Sequence, residues 1–308
     1  MPAQKAIHFA FFILFSIIVL FIALSFEASS SYGANNVSVL AKVKVKNTPP
    51  NITSIVISPT EVDLIAGNKT QVNCTAYAWD YNGWDDINYT NVTLYNYAIS
   101  SSDGLNDHNY HYTNDTCACQ PQGGSPSNAT CICTFDVRYY ATNGTWMCNF
   151  TVGDGEFTSS KNKSFAVNTL IGVDVPAELN FGNLSVMQTS NMIPANVSNW
   201  GNVAINISVR AYGGTNDSTP NAGNYSMMCE YGTIGLDNMR YSINASSIFL
   251  NMVNITNTTS PISDISLPIR TNDTNYETDT NTTYWKMYIP QDVGGYCNGT
   301  IQFTGLQI

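Results

Sequence analysis

The sequence predicts an all-β protein: two tandem antiparallel β-sandwich domains that follow an N-terminal signal or anchor helix. Apolar and polar residues alternate with a period of two in many short segments, as they do in strands that bury one face. Turn-forming residues separate these segments at short, regular intervals, which is typical of antiparallel sandwiches. Beyond the N-terminal segment the pattern stays that of strands.

The N-terminal segment carries the pattern of a secretory signal over residues 1–33. Lys5 precedes an apolar run over residues 9–26 that only Ser16 and Ser25 interrupt. A polar stretch of small residues follows, as at a cleavage site. The run also reaches the length of a membrane span, so retention as an N-terminal anchor is the alternative.

Residues 34–48 are predicted to be an extended strand and linker. One face of the predicted strand is apolar and the other mostly polar: the first carries Val37, Val39, Ala41, Val43 and Val45, and the second is dominated by Ser38, Lys42, Lys44 and Lys46. This segment, residues 37–46, fits an edge strand of the following domain, which the lysines protect from aggregation. The alternative is a strand that is donated to the sheet of a neighbouring copy.

The first sandwich is predicted over residues 49–168 and is organised around two strands. Each strand has a cysteine in the middle of its apolar row, and the rows are Val72, Cys74, Ala76 and Ala78, and Trp146, Cys148, Phe150 and Val152. The pattern predicts a Cys74–Cys148 disulfide that crosses between the two sheets. The strands of this domain are predicted at residues 52–57, 61–64, 70–78, 92–99, 111–120, 130–140, 145–152 and 157–167.

Four further cysteines flank the turn-rich segment between residues 121 and 126. Their positions are symmetric about residue 125, so a hairpin centred there sets Cys117 opposite Cys133 and Cys119 opposite Cys131. Directly opposite positions on antiparallel strands are close enough for cross-strand disulfides. A four-thiolate zinc site is the alternative, but its usual spacing is Cys-X-X-Cys.

The loop after the first cysteine strand is rich in oxygen ligands. Asp80, Asn82, Asp85 and Asp86 lie in this loop, and Asp154 lies in the turn after the second cysteine strand. The two loops lie at the same end of an immunoglobulin-like sandwich, so the five residues form a candidate calcium site. The alternative is a set of ordinary turn formers, since Asp-X-Asn-Gly and Asp-Gly are common in turns.

The segments around these loops resemble a known group. Cys74, Trp146 and Cys148, together with residues 80–86 and 152–155, are similar to immunoglobulin-like and PKD-like domains of archaeal cell-surface proteins. The resemblance covers residues 49–168 and implies an exported protein. Trp146 stands two residues before the second cysteine, where immunoglobulin domains often carry a tyrosine that bonds to the backbone.

The second sandwich is predicted over residues 174–308. Its strands are predicted at residues 178–181, 195–199, 203–212, 226–231, 265–269, 284–289 and 296–303. Cys229 and Cys297 are the only cysteines here and are predicted to pair. The turn at residues 199–202, followed by an alternating strand, resembles β-sandwich modules of archaeal S-layer-type proteins.

Asparagine is unusually abundant, with 37 residues, of which 22 begin the sequon Asn-X-Ser/Thr. This frequency predicts a heavily N-glycosylated exterior. The alternative is that asparagine and threonine simply accumulate in turns and form sequons that carry no glycan. Asn73, Asn149, Asn206 and Asn298 fall on the outward phase of predicted strands. The candidate glycosylation sites are Asn51, Asn73, Asn88, Asn91, Asn149, Asn206, Asn254, Asn257 and Asn298.

The composition excludes several functions. Charged residues make up 11% of the chain and the net charge is −10, so there is no basic surface to bind nucleic acid. Phosphate-binding, dinucleotide-binding and nucleophile-elbow motifs are lacking. His108 and His111 have a spacing that permits a metal pair, but an Asn/Asp/Tyr-rich exposed loop is expected there. We therefore expect a non-enzyme without a cofactor, apart from the candidate calcium ion.

These features together predict an extracellular, cell-surface glycoprotein. Its even cysteine count fits an oxidising compartment. The predicted role is a structural spacer or an adhesion and interaction module whose partners are other envelope proteins or glycans. One alternative is a subunit of a filament or surface layer that self-assembles through residues 37–46. The other is a carbohydrate-binding module that uses Tyr77, Tyr81, Trp84 and Trp200. Contact with the membrane is expected only through an uncleaved N-terminal segment.

Overall fold

A computed structural model describes residues 38–214, 223–272 and 279–308. The chain divides into two units, residues 1–46 and residues 47–308. Residues 38–46 have no regular secondary structure, and the predicted signal or anchor segment lies outside the described residues. In the described part of the chain, no helix is both long enough and apolar enough to cross a membrane.

The first nine strands build one sandwich, and alternating apolar residues explain why most of them form. They are β1 (Asn51–Ser58), β2 (Glu61–Val62), β3 (Lys69–Trp79), β4 (Tyr89–Asn96), β5 (His111–Asn114), β6 (Ala118–Pro121), β7 (Asn128–Arg138), β8 (Gly144–Gly153) and β9 (Thr158–Val167). One sheet has the order β1-β3-β7-β6, and the other has the order β2-β9-β8-β4-β5. Neighbouring strands pair antiparallel, except that β2 runs parallel to β9.

The core of this first sandwich lies between its two sheets. Both inward rows around the cysteines are buried, from Val72 to Ala78 in β3 and from Trp146 to Val152 in β8. The Trp146 indole N–H donates to the Thr142 carbonyl at 2.8 Å, so it bonds to the backbone as a tyrosine corner does. The largest side chain of this core therefore leaves no polar atom unpaired.

The remaining ten strands build the second sandwich. They are β10 (Val173–Asp174), β11 (Ile193–Asn199), β12 (Ile205–Gly213), β13 (Tyr225–Tyr231), β14 (Thr233–Gly235), β15 (Met239–Ser242), β16 (Val253–Asn254), β17 (Ser260–Leu267), β18 (Thr280–Met287) and β19 (Gly294–Gln307). The sheet orders are β10-β11-β18-β15-β16 and β14-β13-β19-β12-β17. Ile205, Ile207 and Val209 point into the core, where Trp285 and Met287 meet them.

The structure confirms the all-β, antiparallel fold class and differs from the expected strands at several places. The expected strand over residues 111–120 is two strands, because β5 pairs with β4 while β6 pairs with β7 in the opposite sheet. Residues 178–181 form no strand, and β14, β15 and β16 were not expected. Each of these three has four residues or fewer, which is too short to display an alternating pattern.

Candidate functional site

The eight cysteines form four disulfides, and the pairs are those derived from the sequence. Cys74 in β3 bonds to Cys148 in β8 and so joins the two sheets of the first sandwich. Cys117–Cys133 and Cys119–Cys131 link the β6 and β7 region, where Cys119 lies directly opposite Cys131. Cys229–Cys297 joins β13 to β19 in the second sandwich.

Three of the five predicted ion ligands come together at one end of the first sandwich. Asp80 directly follows β3, Asp154 directly follows β8, and Asp86 ends the short 3₁₀ turn Trp84–Asp86. Each contributes a carboxylate oxygen that lies within 4.8 Å of the other two. We call Asp80, Asp86 and Asp154 the acidic triad. In the described residues it is the one group of His, Cys, Asp and Glu side chains arranged to hold a metal ion.

Backbone N–H groups fix one oxygen of each buried carboxylate in the acidic triad. Asp80 Oδ1 accepts from the Asn82 N–H at 2.8 Å. Asp154 Oδ1 accepts from the N–H groups of Glu156 and Phe157 at 2.8 and 2.7 Å. The other oxygen, Oδ2, is buried without a hydrogen-bond partner in both residues. The carboxylates are therefore held in fixed orientations, each with one oxygen uncommitted.

The charges of the acidic triad act on one another. Burial raises the pKa of Asp80, and the negative charges of Asp86 and Asp154 raise it further, against the Asn82 hydrogen bond. Burial also acts to raise the pKa of Asp154, but the N–H groups of Phe157 and Glu156, together with the side chain of Asn47, outweigh it and hold that pKa below its usual value. Ionisation of all three carboxylates therefore costs free energy, since the negative charges lie close together in a partly buried space.

The other two residues of the expected ion site have different roles. Asn82 Oδ1 accepts from the Thr48 N–H at 2.7 Å, so Asn82 fastens the chain where it enters the first sandwich. Asp85 is exposed and lies outside the acidic triad. A Cβ on Gly83 would lie 2.6 Å from Asp85 Oδ1, which indicates that this side chain folds back over Gly83. The sequence alone does not reveal which way neighbouring aspartates in one loop point.

Of the two histidines, His108 lies in the expected loop and is partly exposed, whereas His111 lies in a strand. His111 begins β5 and is buried, and its Nδ1 lies 3.4 Å from Asn106 Oδ1. Burial lowers its pKa, although the carbonyls of Ser102 and Ser101 and the charge of Asp107 act in the opposite direction. The His108 ring stacks on Tyr112 with 5.2 Å between the ring centroids. The arrangement fits a structural role for both rings.

Asparagines that begin a sequon differ in solvent exposure from the buried asparagines of the chain. All sequon asparagines except Asn36 and Asn216 lie in the described residues, and every one of these is exposed or partly exposed. The fully buried asparagines of the described chain are Asn96, Asn109, Asn199 and Asn202. None of these four begins a sequon. Among the candidate glycosylation sites, Asn51, Asn88, Asn206, Asn254 and Asn298 are exposed, while Asn73, Asn91, Asn149 and Asn257 are partly exposed.

Two of the aromatic residues considered for sugar contact are largely structural. Trp84 packs against the first core, and Trp200 lies 6.3 Å from Tyr139 between ring centroids. Tyr81 differs, since it is 73% exposed and contacts the Trp79 ring at a tilt of 46°, with 4.4 Å between the ring centroids. Trp79 is partly exposed, so an aromatic pair that reaches solvent lies next to Asp80 in the chain.

Comparisons with known proteins give distant likenesses. No family model and no curated protein matches the chain. Similar solved structures include the CsuC–CsuE chaperone–tip adhesion subunit complex of archaic chaperone-usher Csu pili from Acinetobacter baumannii. Its TM-score is 0.35 at 12% identity, with 82% of this chain and 99% of that chain covered.

Another similar structure is the native conformation of Escherichia coli alpha-2-macroglobulin. Its TM-score is 0.27 at 9% identity, with 83% of this chain covered. This chain spans 17% of the length of that protein. With TM-scores below 0.5, neither likeness carries an argument about the role of this chain.

Proposed function

We propose that this protein is an exported, N-glycosylated, non-catalytic component of the cell surface that acts as a rigid spacer or adhesion module. The observation that carries the proposal is the division of its asparagines. Every described sequon asparagine reaches solvent, and every fully buried asparagine lacks the sequon. The resemblance of residues 49–168 to archaeal surface domains belongs to the same proposal.

Glycan attachment explains this division physically. An N-linked glycan is bulky and polar, so it is tolerated only where the asparagine side chain faces water. A buried asparagine such as Asn199, whose amide bonds to three backbone carbonyls, has no room for a sugar. Sequons at buried positions would therefore give misfolded chains wherever the modification precedes folding.

The cross-links support an extracytoplasmic location. All eight cysteines are in disulfides, and disulfides of this density persist in oxidising compartments. The expectation that no enzyme activity exists stays part of the proposal. A spacer needs stability and solubility, and cross-links with a polar sugar coat would supply both.

Mass spectrometry of the native, non-reduced protein tests the proposal. We expect glycans on exposed sequons such as Asn206 and Asn298, no free thiols, and a mature N-terminus after the apolar segment. Asn206→Gln and Asn298→Gln should each remove one glycan, whereas Asn191→Gln, at an exposed asparagine without a sequon, should leave the glycan mass unchanged. Unmodified asparagines throughout, or free thiols in the native protein, would contradict an exported glycoprotein.

A second candidate function is self-assembly by strand donation, and the exposure of residues 38–46 favours it. Val39, Val43 and Val45 alternate along this segment and are 87%, 88% and 75% exposed. Apolar residues with strand periodicity gain from pairing with an unfilled sheet edge, as in strand-exchange polymers. A deletion of residues 37–46 should then abolish polymers in analytical ultracentrifugation while the monomer keeps its unfolding temperature. If the full-length and shortened proteins sediment alike as monomers, strand donation is wrong.

A third candidate is carbohydrate binding through the Trp79–Tyr81 pair. Exposed aromatic rings contribute apolar area and a polar edge to a binding surface. Tyr81→Ala should abolish binding on a glycan array if this pair forms the surface. Tyr97→Ala, which removes a comparably exposed tyrosine from a different loop, is the matched control.

A further inference from the structure

We propose that Asp80, Asp86 and Asp154 bind a calcium ion at the end of the first sandwich. The acidic triad brings three carboxylates together from separate parts of the chain. Two of them present a buried oxygen without a partner. This inference is independent of glycosylation and of the spacer role, and it assigns the protein a ligand.

The uncommitted oxygens are the main evidence for an ion. Asp80 is fully buried and Asp154 is 7% exposed, yet Oδ2 of each lacks a hydrogen bond. Buried polar groups in native proteins are nearly always paired, because an unpaired buried charge carries a large desolvation cost. A cation between these carboxylates would pair both oxygens at once and offset the repulsion among the three negative charges.

The spacing of the oxygens suits calcium. Calcium binds oxygen ligands at about 2.3–2.6 Å, so two ligands on opposite sides of the ion lie up to roughly 4.6–5.2 Å apart. The carboxylate oxygens of the acidic triad lie within 4.8 Å of one another, inside the span that opposite calcium ligands can reach. Magnesium binds at about 2.0–2.1 Å, demands near-ideal octahedral geometry and gives up its waters reluctantly, so a group of carboxylates held in fixed orientations suits calcium better. Backbone carbonyls and water would complete the coordination of calcium.

The local structure explains how the site keeps its shape. The aspartates follow the ends of β3 and β8, and the Cys74–Cys148 disulfide holds these two strands together. Backbone N–H groups already bind one oxygen of Asp80 and of Asp154, so ion binding does not have to order these side chains. A site with fixed ligands loses less entropy when it binds an ion.

The test is a calcium titration of the full-length, chelator-treated protein by calorimetry, together with thermal unfolding. We expect one calcium ion per chain and an unfolding temperature that rises by about 5–10 °C at a hundredfold excess over Kd. Magnesium at the same concentration should give a much smaller rise.

Variants separate a specific site from general charge screening. Asp86→Asn changes a partly exposed residue, so the protein should fold, and calcium affinity should fall at least tenfold. Asp154→Asn should have the same effect. Asp85→Asn, in the same loop but outside the acidic triad, should bind calcium as the native protein does. The proposal is overturned if the native protein gives no binding heat, or if Asp85→Asn and Asp86→Asn lose calcium affinity equally. Because the readouts are heat and unfolding temperature, failure here would leave the glycoprotein proposal standing.

Discussion

Asn199 shows how a single buried polar residue organises its surroundings. Its amide nitrogen donates to the carbonyls of Val203, Leu267 and Pro268 at 2.8, 3.2 and 3.0 Å. Its Oδ1 accepts from the Gly201 N–H at 2.9 Å. The two amide hydrogens are shared among three carbonyls, and the side chain thereby joins the turn at residues 201–203 to the end of β17.

Replacement of Asn199 by alanine should therefore be strongly destabilising. A buried polar group without a hydrogen bond costs about 1–3 kcal/mol. Because the structure around the alanine should partly relax, we expect the free energy of unfolding to fall by about 3 kcal/mol in total. The measurement is the free energy of unfolding in denaturant. Asn196→Ala is the matched control, because Asn196 lies on the same strand but is exposed, and it should cost less than about 0.5 kcal/mol. Equal losses from the two variants would contradict the assigned role.

His111 should make the stability of the first sandwich depend on pH. Its folded pKa lies below the unfolded value of 6.5, because burial disfavours the charged ring. The folded state therefore binds fewer protons, and the contribution of His111 to stability is present above pH 6.5 and lost as the pH falls through the folded pKa.

The unfolding temperature at pH 7.5 and about pH 5.5 measures this effect. His111→Gln, which cannot titrate, should lose less stability on acidification than the native protein. If His111→Gln and the native protein respond identically to acid, the buried ring does not control the pH response.

At the scale of elements, strands with long alternating rows were predictable from the sequence. The apolar rows in β3, β8 and β12 predict both the strand and its buried face. With a period of two, only one orientation of the strand places the apolar side chains in the core and the polar ones in solvent. The break between β5 and β6 was not predictable. At Asp115–Cys117 the chain passes from one sheet to the other, and local residue pattern does not specify which neighbour a strand will pair with.

The two disulfides of the β6–β7 hairpin form nested loops, which should make their contributions non-additive. Cys119–Cys131 spans 12 residues and Cys117–Cys133 spans 16. When either bond is present, it already closes most of the loop that the other would close. By chain entropy, removal of one bond should cost less than about 2 kcal/mol, whereas removal of both should cost about 4–5 kcal/mol.

Paired alanine substitutions measure this effect without leaving free thiols. The variants are Cys117→Ala with Cys133→Ala, Cys119→Ala with Cys131→Ala, and all four changes together. The free energy of unfolding of each should show that the combined loss exceeds the sum of the separate losses. Strict additivity would mean that the denatured hairpin is not a simple flexible loop.

At the scale of the whole molecule, a buried polar network joins the two sandwiches. Asn202 donates from its amide to the carbonyls of Ala141 and Asn168 at 3.0 and 2.9 Å. Asn109 donates to the Arg270 carbonyl at 2.7 Å, and Arg270 Nη1 donates to the Tyr139 hydroxyl at 2.7 Å. These contacts leave little freedom for one sandwich to rotate against the other, as the proposed spacer requires.

The Arg270–Asp279 ion pair should be important for this junction. Arg270 Nε lies 3.2 Å from Asp279 Oδ2, and both side chains are almost fully buried. Burial raises the pKa of Asp279 against the attraction of Arg270, so loss of the arginine would leave a buried carboxylate uncompensated. Arg270→Ala should lower the free energy of unfolding by about 3–5 kcal/mol.

Calorimetry of thermal unfolding should show that Arg270→Ala broadens or splits a single native transition as the sandwiches uncouple. Lys69→Ala is the control, because Lys69 and Asp136 form an exposed pair at 3.9 Å. That change should cost less than about 0.5 kcal/mol and leave one transition. An unchanged single transition for Arg270→Ala would show that other contacts hold the junction.

The candidate ion site could be predicted in part from the sequence, whereas the junction could not. Asp80 and Asp154 were expected to meet because their loops follow the two core strands that share the Cys74–Cys148 disulfide, at one end of a sandwich. The junction residues Asn109, Asn202 and Arg270 resemble ordinary loop residues, since burial of a polar residue leaves no periodic pattern. One sequence signal was available, namely that these asparagines lack the sequon that most others have.

The two long disulfide loops determine how the chain would behave under tension. The cysteines of Cys74–Cys148 and Cys229–Cys297 are separated by 74 and 68 positions in the sequence. A pull on the two ends cannot straighten those residues while the sulfur bridges remain intact. At about 3.5 Å per residue, the bridges withhold roughly 500 Å of contour length. A tether built in this way would extend much less under shear than the same chain without its bridges before it resists as a covalent chain.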